Sequence, residues 1–174
     1  MSNEGKVDVP SKEITDFFIK RTTEHIGRVK KNIKKIVDNI EFSSHKDKMD
    51  ILYRGVSHDQ SKYSSEELIP YIWLTWKHKM GKDYKYPSEE IAKSVEKATK
   101  HHIITNRHHP VYFGNETSKM SDNDIIEMVA DLSAMSQELG GNPSDYFEKN
   151  IQHKYNFTKN QIKTINNYFD VLGY

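Results

Sequence analysis

A histidine and an aspartate stand side by side at positions 58 and 59, and Lys62 follows three residues after the aspartate. His25 lies upstream of this pair and Asp131 lies downstream. Together these five side chains can hold a divalent metal ion and face a phosphate, which indicates hydrolytic chemistry. Nitrogen and oxygen donors suit manganese, iron, cobalt, nickel, zinc or magnesium better than a structural zinc site. The chain has no cysteine, which excludes disulfides and thiolate chemistry.

The order of the donors, His25, then His58-Asp59, then a distant Asp131, resembles that of the HD superfamily of metal-dependent phosphohydrolases. Three segments resemble a branch of that superfamily found in bacteria and their phages: HDQSKYSSEE at 58–67, KHHIITNRHHP at 100–110 and EMVADLSAMS at 127–136. The resemblance implies an all-helical fold and hydrolysis of phosphate esters or anhydrides, often in nucleotides. It does not imply a particular substrate.

The resemblance also implies a role for individual residues. It makes His25, His58, Asp59 and Asp131 ligands of one or two divalent ions, which would polarise a phosphoryl oxygen and lower the pKa of bound water. The spacing of His58, Asp59 and Lys62 is similar to that of HD-type phosphodiesterases, in which the lysine lies beside the scissile phosphate. Further histidines bind a second metal or the phosphate in binuclear relatives, and the matching positions here are His102, His109 and its competitor His108.

The chain departs from two groups of relatives. Nucleotidase-type members often carry a water-activating glutamate three residues after the aspartate of the pair, where this chain has Lys62. We expect a catalytic glutamate from elsewhere, either Glu66, Glu67 or Glu127, and Glu127 lies one turn before Asp131. The Gly-Tyr-Pro signature of cyclic-dinucleotide phosphodiesterases is absent, because Lys85 precedes the Tyr86-Pro87 pair and the pair lies in the wrong segment.

Apolar residues recur at steps of three and four through most of the chain, which predicts helices. The predicted segments are about 11–40, 45–62, 66–80, 87–109, 121–139 and 159–172. Ser121 and Asp124 form a capping signature for the fifth segment. We therefore predict an all-α fold, a compact single-domain helical bundle of the HD type with about six to eight helices, covering residues 1–174 with its core at about 11–172.

The helical periodicity also places the candidate donors. His25 lies on the apolar stripe of the first helix, and Asp59 continues the stripe of the second, where a buried carboxylate needs a cation or a paired base. Neighbouring positions on a helix differ by about 100°. His58 and Asp59 are therefore expected to diverge, bracketing one ion or bridging two. By the same rule, His102 faces the core and His101 turns away from it.

Each functional interpretation has a structural alternative. His25 can be a hydrogen-bonded core histidine, Lys62 a surface lysine, and the histidines at 102, 108 and 109 a histidine-rich helix end that favours the helix dipole. At the level of function, the alternative to an enzyme is a non-catalytic metal-binding helical module that senses a nucleotide or serves as a regulatory accessory protein. A nucleic-acid binder using the basic stretch 28–35 is a third interpretation, which the near-neutral net charge of +1 disfavours.

Composition narrows the expected partners. No apolar run approaches the roughly 20 residues that span a bilayer, and the N-terminal sequence lacks the apolar stretch of a signal peptide. We expect a cytoplasmic protein with a small nucleotide or phosphodiester as substrate, no membrane partner and no nucleic acid, and a homo-oligomer is compatible with the sequence.

Overall fold

The computed structural model describes residues 9–174, and all of their regular structure is helical. This confirms the predicted all-α class, and the seven α-helices fall within the predicted number. Their bounds are α1 Lys12–Val37, α2 His45–Ser57, α3 Leu68–Met80, α4 Glu89–Thr105, α5 Asp122–Leu139, α6 Pro143–Phe147 and α7 Lys159–Leu172. Among the described residues, none of these helices is long and apolar enough to cross a membrane.

The described residues form two compact units. The first contains residues 9–22 and Gln60–His102, and the second contains Thr23–Asp59 and Ile103–Tyr174. The single domain predicted from the sequence stays a prediction.

Helix α5 is central to the second unit, where it contacts α2, α6 and α7. Its N-terminus carries the predicted capping box, in which the Ser121 side chain accepts from the Asp124 amide and the Asp124 side chain accepts from the Ser121 amide. Satisfying these end groups stabilises the first turn. The core around α5 contains fully or nearly fully buried side chains from five elements, among them Val29, Ile33, Ile51, Ile125, Val129, Phe147, Ile165 and Phe169.

A glycine brings α2 close to α1. A Cβ atom at Gly55 would lie 3.1 Å from the Ile33 Cδ1 atom and 3.5 Å from the Lys30 Cα atom, so a larger residue would meet both a side chain and the backbone. The close approach places the C-terminal end of α2 beside the histidine-bearing part of α1, and the ring centroids of His25 and His58 lie 5.5 Å apart.

The first unit is built from the start of α1 with α3 and α4. Phe18, Tyr71, Ile72 and Ala98 form one buried cluster, and Trp73, Ile91 and Val95 form a second. The buried face of α4 consists of Ile91, Val95, Ala98 and His102, which confirms the face predicted from the sequence.

Three helix ends and one helix face differ from the predictions. Helix α1 ends at Val37 and not near residue 40. Helix α2 ends at Ser57 and not near Lys62, because His58 has a non-helical ψ of 135° and Asp59 follows with a left-handed φ of 57°. Helix α4 ends at Thr105, before the histidines at 108 and 109. The predicted inward stripe of α2 was wrong as well: Met49 and Val56 are 51% exposed, whereas Ile51 and Gly55 are buried. The end of α7 at Leu172 and its start at Lys159 are as predicted, and α6 was not predicted.

Candidate metal centre

His58 and Asp59 lie in the turn that ends α2. His58 is the C-terminal cap with extended backbone, and both side chains are nearly fully buried, with 1% and 3% exposure. The predicted divergence of the two side chains was wrong, since the 100° rule holds only inside a helix. In the turn they approach each other, and 3.6 Å separates His58 Nε2 from Asp59 Oδ1.

Two other helices bring the remaining predicted ligands to the same place. His25 on α1 and Asp131 on α5 approach to 3.0 Å between Nε2 and Oδ1. His25 Nε2 also lies 3.6 Å from Asp59 Oδ2, and His58 Nε2 lies 3.6 Å from Asp131 Oδ1. The structure therefore brings together all four residues that the sequence predicted as metal ligands.

A fifth donor, His108, joins this group from the loop after α4. Its Nε2 atom lies 3.8 Å from Asp59 Oδ1 and 4.0 Å from Asp131 Oδ2. Its ring centroid is 4.6 Å from that of His58, and the side chain is 2% exposed. The sequence ranked His109 above His108, and the structure places His108 among the donors. His109 is half-buried and lies against the His108 ring, with 4.2 Å between centroids.

The donor geometry fits a divalent cation. Two ligands bound to one ion at about 2.1 Å lie roughly 3.0–3.4 Å apart in octahedral or tetrahedral geometry. The contacts between imidazole nitrogens and carboxylate oxygens span 3.0–4.0 Å, and His25, His58 and Asp131 each offer one atom within 4.8 Å of the other two. His58 Nε2 is buried and has no hydrogen-bond partner. Buried polar atoms almost always have one, so a cation among these donors would satisfy an atom that the protein leaves unsatisfied.

The carboxylates of the centre shift the pKa values of the groups around them. Burial alone would lower the pKa of His58, but the charge of Asp59 and the carboxylates of Asp131 and Glu127 outweigh it and raise the pKa to about 10. Burial would raise the pKa of Asp131, whereas contacts with His25 and His58 hold it well below the usual value. Without a metal, a proton on His58 compensates the carboxylates, so a metal and that proton compete for the same atom.

Glu127 lies on the other side of two of these imidazoles. Its Oε1 atom is 2.9 Å from His58 Nδ1 and 3.3 Å from His108 Nδ1, and its Oε2 atom accepts from Arg54. These separations are those of hydrogen bonds. The predicted role of Glu127 as the catalytic, water-activating group does not fit this position, because both of its oxygens are engaged and it faces the Nδ1 atoms, away from the Nε2 donors.

A protein-family comparison agrees with the extent of the folded region. Residues 15–170 match the model of DUF5662, a family of unknown function. The chain belongs to the DUF5662 family. It matches no curated protein and no solved structure. Membership of DUF5662 carries no activity with it.

The other predicted site residues of this DUF5662 member lie in the first unit. Lys62 is half-buried in the turn Gln60–Tyr63, with its ammonium 5.2 Å from the centroid of the Tyr71 ring. His102 is buried, and its Nδ1 lies 2.9 Å from Glu67 Oε2. His101 contacts the other oxygen of Glu67 at 2.7 Å, although its side chain is 36% exposed. The structure thus shows that both histidines, and not His102 alone, have a buried partner.

Sequence reasoning missed the ion pairs that join Glu127 to Arg54, and Asp124 to Arg54 and Arg107. Arg54 contacts Glu127 and Asp124, and Arg107 contacts Asp124 through two hydrogen bonds of 2.9 Å. One signal was present: Asp124 precedes Glu127 by three residues within α5, which puts this pair on one helix face.

Proposed function

We propose that this protein is a metal-dependent phosphohydrolase of the HD type, which cleaves a phosphate ester or anhydride in a small nucleotide or phosphodiester. The observation that supports it is the group of five donors from four separate segments, of which His25, His58, Asp59 and His108 are buried and Asp131 is half-buried. Three imidazoles and two carboxylates leave a bound divalent ion Lewis-acidic, in contrast to a thiolate site. The order of four of these residues along the chain resembles the superfamily.

The proposed reaction assigns different roles to different residues of the chain. When bound, the divalent ion would supply Lewis acidity and lower the pKa of water. Asp59 and Asp131 supply the negative charge that retains the cation, and the three histidines hold it through their Nε2 atoms. Lys62 is proposed to contact the phosphate and offset the negative charge that develops on it. His102 and His109 are proposed to contact the phosphate or a second metal.

A second function, a metal-binding module without catalysis, is favoured by one specific observation. None of the three glutamates considered as replacements for the water-activating group is placed for that role in the part of the chain described. Glu127 is engaged by two histidines and Arg54, Glu67 is fully buried and engaged by two histidines, and Glu66 is exposed and accepts from Ser65. Such a module would bind metal and a nucleotide without turnover.

The test combines metal analysis with an activity panel. Protein purified without chelating resin is analysed for bound metal, then assayed with nucleotides and phosphodiesters in manganese, cobalt, nickel and magnesium. An Asp59→Asn variant prepared in parallel is the control for contaminating phosphatases. Turnover by the wild type and not by the variant supports the hydrolase. Bound metal with no turnover on any substrate supports the non-catalytic module, and no metal in the wild type rejects both.

A further inference from the structure

Glu127 connects two of the proposed ligands through the same atom. Its Oε1 lies 2.9 Å from His58 Nδ1 and 3.3 Å from His108 Nδ1. The carboxylate is 6% exposed, and the two histidines are 1% and 2% exposed, so water competes little for these contacts. One buried oxygen therefore faces the Nδ1 atoms of two imidazoles that come from different loops.

This contact determines which nitrogen of each ring carries a proton. An ionised carboxylate only accepts hydrogen bonds, so the Nδ1 atoms of His58 and His108 must donate to it. An imidazole with its proton on Nδ1 has its lone pair on Nε2. In both residues Nε2 is the atom that lies within 4 Å of the Asp59 and Asp131 carboxylates. Glu127 thus turns the coordinating nitrogen of both rings toward the proposed ion.

Arg54 in turn holds Glu127. Its Nε and Nη2 atoms lie 2.8 and 2.6 Å from Glu127 Oε2, and Nη2 also lies 2.8 Å from Asp124 Oδ1. Asp124 is fully buried and accepts two hydrogen bonds from Arg107. The charges therefore alternate outward from the histidines as carboxylate, guanidinium, carboxylate, guanidinium. A buried carboxylate needs such a partner to remain ionised and in place.

We propose that Glu127 and Arg54 are positioning residues of the metal centre: Glu127 fixes the Nδ1-protonated form and ring orientation of His58 and His108, and Arg54 fixes Glu127. The inference rests on the metal centre of the proposed function and is independent of whether that centre hydrolyses phosphate. It replaces the catalytic role that the sequence predicted for Glu127. Carboxylates that orient metal-bound histidines in this way typically contribute 10- to 100-fold to metal affinity.

The test is Co²⁺ binding to metal-free full-length protein, measured by calorimetry and by the visible absorption spectrum of the bound ion. Glu127→Gln keeps the size of the side chain and removes the charge, and we expect its Kd for Co²⁺ to rise about 10- to 100-fold. The spectrum at saturation should also shift, since a reoriented imidazole changes the coordination geometry. The matched control is Glu138→Gln, on the same helix as Glu127. It removes a half-buried carboxylate that pairs with Arg28 of α1. This control should bind Co²⁺ as the wild type does.

A second variant covers the case in which Glu127→Gln does not fold. Arg54→Lys keeps the charge and loses the planar fork that contacts both carboxylates, and it should weaken Co²⁺ binding less than Glu127→Gln but more than Glu138→Gln. Wild-type affinity and spectrum in a folded Glu127→Gln protein, or in Arg54→Lys, would overturn the inference, as would equal losses in Glu127→Gln and Glu138→Gln. Failure of the wild type to bind Co²⁺ removes the metal centre itself. Tight binding without phosphate hydrolysis removes only the proposed reaction.

Discussion

Asp59 carries the least ordinary backbone among the proposed ligands. Its φ of 57° lies in the left-handed region, which aspartate tolerates better than most residues because its short polar side chain can hydrogen-bond to nearby backbone. The conformation follows the non-helical cap His58, and the carboxylate lies 3.6–3.8 Å from His25, His58 and His108. Backbone strain of this kind typically costs on the order of 1–3 kcal/mol and persists where the surroundings impose it.

Substitution of Asp59 by alanine should abolish metal retention. The change removes a carboxylate that lies 3.6–3.8 Å from three imidazoles and leaves the proposed centre with only one of its two anionic donors, Asp131. Elemental analysis of the purified variant measures the loss, and circular dichroism should show unchanged helical content. Asp38→Ala, at an exposed ion pair on α1's C-terminal side, is the control. A full complement of metal in Asp59→Ala would show that the proposed centre is wrong.

Lys62 is expected to behave differently from the ligands, because it is proposed to contact phosphate and not metal. Lys62→Ala should retain metal and lose turnover, and removal of one positioned charge typically lowers kcat on the order of 10²–10³-fold when the contact forms in the transition state. Lys77→Ala is a matched control, since that ammonium also lies over a tyrosine ring, at 4.7 Å from the centroid of Tyr86. Near-normal kinetics of Lys62→Ala would return this residue to a surface role.

At the scale of elements, α4 shows how far helical phase can be extrapolated. The stripe of Ile91, Val95 and Ala98 correctly placed His102 in the core of the first unit. Phase alone also indicated that His101 turns away from the core. The structure adds a contact that phase does not reveal, since the His101 ring reaches back to the buried Glu67 carboxylate at the N-terminal end of α3.

His102→Ala should therefore destabilise the protein more than His101→Ala, but both should be measurable. Loss of a partner from a buried carboxylate typically costs about 1–3 kcal/mol. Because the His101 side chain is more exposed, His101→Ala should lower the free energy of unfolding less than His102→Ala. Urea unfolding followed by circular dichroism measures both, with Lys97→Ala on the same helix as the control. A larger loss for His101→Ala would contradict the buried contact of His102 with Glu67.

The contact between α1 and α2 gives a second prediction at this scale. Gly55→Leu should destabilise the protein by about 1–3 kcal/mol or more, because the added atoms meet Ile33 and the Lys30 backbone. It should also weaken metal binding, since α2 carries His58 at its end. Gly27→Leu is the matched control: a Cβ there meets nothing within 4 Å, and this glycine is also helical.

Thermal unfolding and Co²⁺ titration of the two leucine variants test that prediction together. A Gly55→Leu protein that unfolds and binds Co²⁺ like Gly27→Leu would show that the close approach of α1 and α2 does not position His58.

At the scale of the whole molecule, charge is balanced by pairing within the second unit. Asp124 is fully buried between Arg54 and Arg107. Burial would raise the pKa of its carboxyl, but the hydrogen bonds from Arg107 and Ser121 and the charge of Arg54 lower it below the usual 3.8. A group whose pKa is lower in the folded state contributes stability above its unfolded pKa, and that contribution is lost as the pH falls through the folded pKa.

Asp124→Asn should therefore lower the free energy of unfolding at neutral pH. It should also make that free energy depend less on pH in the acidic range. Breaking one partner of a buried ion pair typically costs about 3–5 kcal/mol, so a clear loss is expected at pH 7. The difference in unfolding free energy between wild type and variant should stay constant down to about pH 4 and shrink below it. Denaturant unfolding from pH 7 to pH 2.5 measures this, and a difference that grows in acid would contradict the lowered pKa.

Local information in the sequence determined the helices and the identity of most donors. The buried face of α4, the capping box of α5 and the bounds of α7 follow from periodicity and end signals, which depend on residues within a few turns of one another. The chemistry of the candidate donors also follows from residue type, since imidazoles and carboxylates offer nitrogen and oxygen, and a chain without cysteine has no thiolate to offer.

Tertiary structure alone decided how the donors meet. Periodicity continued past Ser57 and predicted that His58 and Asp59 diverge, whereas the left-handed turn at Asp59 makes them converge. Glu127 contacts His108, which lies 19 positions before it in the sequence, and His58, which lies 69 positions before it. The place of His108 among the donors depends on contacts of this kind. No local pattern encodes such contacts, because they arise from the packing of α1, α2 and α5 and from the path of the loops between helices.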